Sequence, residues 1–188
     1  MRFGILGGSF NPIHHGHLIV ATRVAETLEL DRVILIPTAI SPLKAERGLA
    51  LPRERLAMVR LAIRGNPLLH VSDLEVRRGG TSYTVDTLRL LRKSLRGDLV
   101  LILGADAARL LPRWRKVEEV RRLARIAVVG RPGLRAGGKM PNTSMVAVPQ
   151  LEISSTDIRE RVRQGLPIRY LVPEAVERYI RRKRLYRS

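Results

Sequence analysis

RFGILGGSFNPIHHGHLIV, residues 2–20, changes character twice within a short span. RFGIL (2–6) is brief and apolar, and Gly7 and Gly8 follow it at once. From about residue 16 the apolar residues recur at helical spacing, through HLIVATRVAETLEL (17–30). This order predicts a buried strand, a sharp turn at the glycine pair, and a helix. Three of the chain's four histidines, His14, His15 and His17, fall at the mouth of that helix.

The same alternation continues along the chain. DRVILIP (31–37) reads as a second strand stopped by Pro37, and TAISPLKAERGLAL as a loop. PRERLAMVRLAIRG (52–65) reads as a helix, with Pro52 suited to its first turn and Gly65 to its end. LLHVSDLEV (68–76) reads as a strand and an extended segment, RRGGTSY as a turn, and TVDTLRLLRKSL (84–95) as a helix. LVLILG (99–104) is almost wholly apolar, as expected of a strand covered on both faces. ADAARLL (105–111) and WRKVEEVRRLA (114–124) read as helices, RIAVVGRPG (125–133) and MVAVPQ (145–150) as strands. SSTDIRERVRQG (154–165) begins with a capping-box-like signal, Ser154 with Asp157, and LVPEAVERYIRRKRL (171–185) is a terminal helix.

The pattern predicts an α/β fold, Rossmann-like: a parallel sheet with helices on both faces and a short C-terminal helical extension over 154–188. At 188 residues and 45% hydrophobic, the chain has material for one core, so a single domain over 1–188 is expected. Ligands of such sheets bind beyond the carboxyl ends of the strands, where strand order reverses. Gly7–Gly8, Pro37–Lys44, Gly104–Asp106 and Gly130–Gly133 each follow a strand and are expected on that rim.

Composition narrows the chemistry. There is no cysteine, which excludes disulfides, thiolate nucleophiles and cysteine-held zinc. No run reaches membrane-spanning length and no leader pattern opens the chain, so a cytoplasmic location without membrane partners is expected. Lys and Arg number 35 against 17 Asp and Glu, a net charge of +18 that attracts polyanions. Aromatics at 4% are too few for a base-stacking platform, and no helix-turn-helix, zinc-finger or RNP-type motif accompanies the charge. No specific nucleic-acid partner is therefore expected.

On the rim, Gly7 and Gly8 bring backbone N–H groups close to a ligand, and the following helix aims its N-terminus at the same place. Neither GxGxxG nor GxxxxGK[ST] is present. His14 and His17 flank Gly16, which leaves room for a phosphate that both imidazoles can bond. His15 is expected to point away. No metal site is expected, because HExxH is absent and His70 lies in another element.

GGSFNPIHHGHL (7–18), GGTSYTVDTL (79–88), LGADAARLLPRW (103–114), VGRPG (129–133), ISSTDIRERVRQG (153–165) and YLVPEAVERYI (170–180) together resemble the bacterial nicotinate-nucleotide adenylyltransferase family, over nearly the whole chain. The resemblance implies transfer of the adenylyl group of ATP to nicotinate mononucleotide, with pyrophosphate released. It assigns Gly7, Gly8, Ser9 and Phe10 to a loop between the two nucleotides. It places His14 and His17 on the ATP phosphates, joined by Lys44 and by Ser155, Thr156 and Arg159. Gly104 and Asp106 resemble part of the nucleotide-binding wall, and Arg131 the adenine or ribose side. Thr81, Ser82, Tyr83 and Thr84 resemble the pyridine-nucleotide segment, and Trp114 the aromatic that stacks on nicotinate. Taken alone, Asp106 reads equally as a loop cap, and a lone tryptophan beside a helix is often core, a reading that the basic, turn-like LPRWRK flanks weaken for Trp114. Mg²⁺ is implied chiefly through the triphosphate rather than a carboxylate cage. His17, His14, Lys44 and Arg159 are the implied catalytic set.

Two positions depart from the family pattern. Asn11 stands where GGSFDP has aspartate, which argues against an essential carboxylate there. Pro42-Leu43-Lys44 stands where PHK is usual, so a polar contact at 43 is lost while the lysine remains. The amide mononucleotide is the rival substrate, a basic nucleic-acid-binding role the rival class, and homo-oligomerisation stays open.

Overall fold

The computed structural model describes residues 1–42, 49–130, 142–149 and 151–187. Six parallel strands form its sheet: β1 (Arg2–Gly8), β2 (Arg32–Pro37), β3 (Leu69–Val71), β4 (Asp98–Gly104), β5 (Arg125–Gly130) and β6 (Thr143–Ala147). Their spatial order is β3-β2-β1-β4-β5-β6, so the direction of winding reverses between β1 and β4. Ligands of open α/β sheets bind at such a reversal. The loops after β1 and β4 are therefore the first place to look for chemistry.

The strands are apolar throughout because each face of the sheet is covered. Val33 and Leu35 of β2, with Val100 and Ile102 of β4, point to one face. They pack there with Ala21 and Val24 of α1 (His15–Thr27), Met58 and Val59 of α2 (Pro52–Ala62), Ile158 of α7 (Ser155–Arg163), and Val176 and Ile180 of α8 (Glu174–Lys183). Ile34, Ile36, Leu99, Leu101 and Leu103 point to the other face. They meet Val85 and Leu88 of α4 (Thr84–Ser94), Ala108 of α5 (Ala105–Leu110) and Val120 of α6 (Val117–Leu123). The expected fold class is the one observed.

Three local expectations are corrected. Gly7 and Gly8 do not form the turn: β1 runs through both, in register with Ile36 and Pro37 of β2. The left-handed residue of the turn is Phe10, at φ 45°. The segment after β3 is not extended, because Leu74–Arg78 forms a short helix, α3, with Glu75 as its buried residue. The helix expected from Trp114 starts at Val117; Trp114 itself is extended, and a left-handed Lys116 precedes the helix. No helix among the described residues is long and apolar enough to cross a membrane.

Candidate active site

The loop Ser9–His14 leaves β1 at the reversal and enters α1. Its shape is held from beneath by Arg55, an arginine on the buried face of α2 with 2% of its surface exposed. Arg55 Nη1 donates to the Ser9 carbonyl at 2.7 Å, and Nη2 to Thr38 and Ala39 at 2.7 and 2.9 Å. Its Nε donates to the Ala50 carbonyl at 3.1 Å. One planar guanidinium thus joins the segment after β1, the segment after β2 and the approach to α2. Sequence reading missed it. The available signal was a charged residue set among Leu56, Met58 and Val59, the buried face of the same helix.

Asn11 is also buried, at 1% exposure, and the Asn11–Pro12 peptide is cis. Its Oδ1 accepts the Ala50 N–H at 3.0 Å and the Tyr186 hydroxyl at 2.8 Å, whereas its buried Nδ2 finds no partner among the described residues. Position 11 is thus a strap inside the loop rather than a charge facing phosphates. Phe10 is 1% exposed, its ring edge-on to His17 with centroids 5.1 Å apart. A Cβ at Gly8 would meet that ring at 3.2 Å. A side chain at position 8 would therefore press on the Phe10 ring, which would have to shift to admit it.

His14 and His17 come together at the start of α1, their ring centroids 3.8 Å apart. His17 Nδ1 accepts the His14 backbone N–H at 3.3 Å. A Cβ on Gly16 would sit 3.0 Å from His14 Nδ1, so Gly16 makes room for the His14 ring. Burial first, and then the neighbouring His15, lowers the His14 pKa to about 4. This favours the uncharged imidazole, whose buried Nδ1 finds no hydrogen-bond partner among the described residues. His15 is tied through its backbone N–H to the Leu171 carbonyl at 3.0 Å.

The second expected phosphate element lies against the same loop. Ser154 caps α7 by accepting the Asp157 N–H at 3.0 Å, as its sequence signal predicts. Ser155 Oγ donates to the Pro12 carbonyl at 2.9 Å, and Arg159 Nη1 to the Asn11 carbonyl at 2.9 Å. Arg159 Nη2 donates to the exposed Thr156 Oγ1 at 3.3 Å. Residues more than 140 apart in sequence are thereby joined.

The remaining candidates surround the neighbouring strands. Ile40 bridges Thr81, and the Ser82 N–H donates to the Ile40 carbonyl at 2.8 Å. Ser82 is buried, its Oγ accepting the Ala39 N–H at 3.0 Å. This pairing sets Thr81–Thr84 beside the end of β2. Tyr83 precedes α4, Thr84 opens it, and the Arg115 guanidinium lies 4.7 Å from the Tyr83 ring centroid. Trp114 and Tyr83 are half-buried against one core face, and the buried Trp114 Nε1 finds no partner among the described residues. Gly104 is exposed at the end of β4. Asp106, its side chain 89% exposed, pairs with Arg109. Lys44, Leu43 and Arg131 lie outside the described residues. No group of three His, Asp or Glu side chains among the described residues converges as a metal site.

Comparison with known proteins places the chain in a family. The cytidylyltransferase-like family matches residues 5–161. The probable nicotinate-nucleotide adenylyltransferase of Roseiflexus sp. (strain RS-1) is 50% identical over 193 residues, covering 98% of this chain and 97% of that protein. The probable nicotinate-nucleotide adenylyltransferase of Acidothermus cellulolyticus is 43% identical over 196 residues, covering 99% of this chain and 94% of that one. Among solved structures, the Plasmodium falciparum nicotinic acid mononucleotide adenylyltransferase complexed with NaAD has the same fold, with a TM-score of 0.81. It is 19% identical, over 98% of this chain and 97% of that one.

Proposed function

We propose that this chain, which belongs to the nicotinate-nucleotide adenylyltransferase family within the cytidylyltransferase-like proteins, transfers the adenylyl group of ATP to nicotinate mononucleotide. The products are nicotinate adenine dinucleotide and pyrophosphate. The observation that carries the reading is the joining of the two phosphate elements across one loop. Ser155 and Arg159 of α7 bond the carbonyls of Pro12 and Asn11, the residues that lead into His14 and His17.

A phosphate oxygen of the mononucleotide attacks the α-phosphorus of ATP. A new P–O bond forms there as the bond to the departing pyrophosphate breaks. The nucleophile is already an anion, so no protein nucleophile is needed. Catalysis rests on alignment and on neutralising charge that grows on the α-phosphate oxygens and the leaving group. We assign the α-phosphate contact to His17, and the β- and γ-phosphates to His14, Lys44 and Arg159, with Ser155 and Thr156 at the α7 N-terminus. Mg²⁺ carried by the triphosphate would help neutralise its charge, with no carboxylate cage formed for it among the described residues.

We assign Gly7, Gly8 and the backbone of Ser9 and Phe10 to the loop between the nucleotides and Gly104 to the wall beside it, and the resemblance assigns Arg131, outside the described residues, to the adenosine. Thr81, Tyr83, Thr84 and Trp114 receive the pyridine nucleotide, with Ser82 fixing their segment to β2. A site that bonds the nicotinate carboxylate disfavours the uncharged amide, whose acceptance would leave donors unpaired. The reaction is placed in the cytoplasm.

The test is pyrophosphate release from ATP with each mononucleotide in turn. Nicotinate mononucleotide should support turnover at least about tenfold better in kcat/KM, a difference of about 1.4 kcal/mol in barrier. Equal use of the amide would refute the substrate assignment. His17→Ala should lower kcat by about 100-fold or more, the scale of a lost oxyanion-type donor; near-normal turnover would remove His17 from its role.

A further inference from the structure

Tyr186 stands 175 residues from Asn11 in sequence, and its hydroxyl lies 2.8 Å from Asn11 Oδ1. The direction of the bond follows from its neighbours. The Ala50 backbone N–H can only donate, so the amide oxygen of Asn11 must face it. That same oxygen faces Tyr186, whose hydroxyl is therefore the donor. Both side chains are buried, Asn11 at 1% and Tyr186 at 9% exposure. Burial holds the Tyr186 pKa above its ordinary value, against the pull of Arg159 and Arg55. The hydroxyl thus keeps its proton throughout the neutral range.

Residue 11 is where the two phosphate elements meet. Its carbonyl receives Arg159 Nη1 at 2.9 Å, and the carbonyl of the next residue receives Ser155 Oγ at 2.9 Å. The preceding residue, Phe10, rests edge-on against His17. A shift of the Asn11 side chain therefore moves the carbonyl that holds Arg159 and disturbs the adjoining Phe10, whose ring rests against His17.

We propose that Tyr186 is a positioning residue for adenylyl transfer: through Asn11, its hydroxyl fixes the Phe10–Pro12 segment that sets Arg159 and His17 against the triphosphate. The proposal rests on the adenylyl-transfer reading of the site. Tyr186 acts through Asn11 and is assigned no contact with substrate. Tyr186→Phe keeps the ring that packs in the core beside Val176 and Ile180 and removes only the donor.

The experiment measures pyrophosphate release by the wild-type chain, Tyr186→Phe, Asn11→Ala and the double variant. Tyr186→Phe is expected to lower kcat about tenfold while KM for the mononucleotide changes less than about twofold, because the lost alignment concerns the triphosphate side. In the Asn11→Ala background the same change is expected to lower kcat by less than about twofold, since the hydroxyl has lost the group through which it acts. Wild-type kcat in Tyr186→Phe would overturn the proposal. So would a second tenfold loss in the double variant, which would make Tyr186 independent of Asn11. Asn11→Asp gives a second background should Asn11→Ala not fold. It keeps an oxygen acceptor, and there Tyr186→Phe must again cost about tenfold; no effect overturns the proposal. Absence of pyrophosphate release by the wild-type chain would refute the reaction itself, a result distinct from any of these.

Discussion

His14 shows how far a side chain's surroundings reset its chemistry. An exposed imidazole next to polyphosphate would be expected to carry charge. Here burial, reinforced by His15, lowers the pKa to about 4, so the ligand-free fold favours the neutral ring. The folded protein resists protonating His14, whereas the unfolded chain accepts a proton near the ordinary value of 6.5. The contribution to stability is therefore complete above about pH 6.5 and is lost as pH falls toward 4. Its ceiling is on the order of 3 kcal/mol, from about 1.4 kcal/mol per pH unit. Urea midpoints measured between pH 7 and 4 should fall across this window, and His14→Gln should flatten that part of the profile. An unchanged slope in the variant would assign the acid sensitivity to other groups. The pairing of His14 with His17 was legible in the spacing HHGH. The low pKa of His14 was not, because it depends chiefly on burial of the ring in the folded chain, which spacing alone does not reveal.

At the scale of elements, the strands and long helices were legible because both faces of a parallel sheet demand continuous apolar runs, and LVLILG has no other use. The short α3 was missed because five residues, Leu74–Arg78, carry too little periodicity to tell helix from extended chain. The start of α6 was misplaced because Trp114 and Arg115 fit a helical pattern, while Lys116 takes the left-handed conformation that breaks it. Arg55 is the larger omission, since it joins three elements at one point. Lysine at 55 offers a point charge with three donors where a planar fork serves four carbonyls. Arg55→Lys should lower stability by about 3 kcal/mol, the scale of one or two lost charge-assisted bonds in a buried site. The thermal midpoint and kcat/KM should fall together, since the Ser9 and Thr38 carbonyls shape the rim. A variant as stable as the wild type would show that the loops hold their form without the guanidinium.

The whole molecule couples its two cores through one sheet. Successive residues of β2 and β4 serve opposite faces, so neither helical layer can be lost without stripping the strands that support the other. We expect one cooperative transition on denaturation, consistent with a single domain over 1–188. Trp114 packs with the α4–α6 layer, and far-ultraviolet dichroism reads all the helices. The two signals should share one urea midpoint. Separate midpoints would divide the chain into independently folding parts. The net charge of +18 was the most conspicuous property of the sequence and the least specific. It favours anionic ligands anywhere on the surface, whereas the choice of rim comes from the strand order.

The bond between Asn11 and Tyr186 also sets an order in time. Translation makes the Ala50 N–H that donates to Asn11 Oδ1 39 residues after Asn11 itself, yet the second donor, the Tyr186 hydroxyl, comes 175 residues after it. Synthesis that stalls anywhere in between leaves a chain with its opening loop complete in composition and incomplete in support. A chain ending before residue 186 would thus be a poor consumer of ATP, because the Tyr186 hydroxyl completes the hydrogen bonding of Asn11 Oδ1.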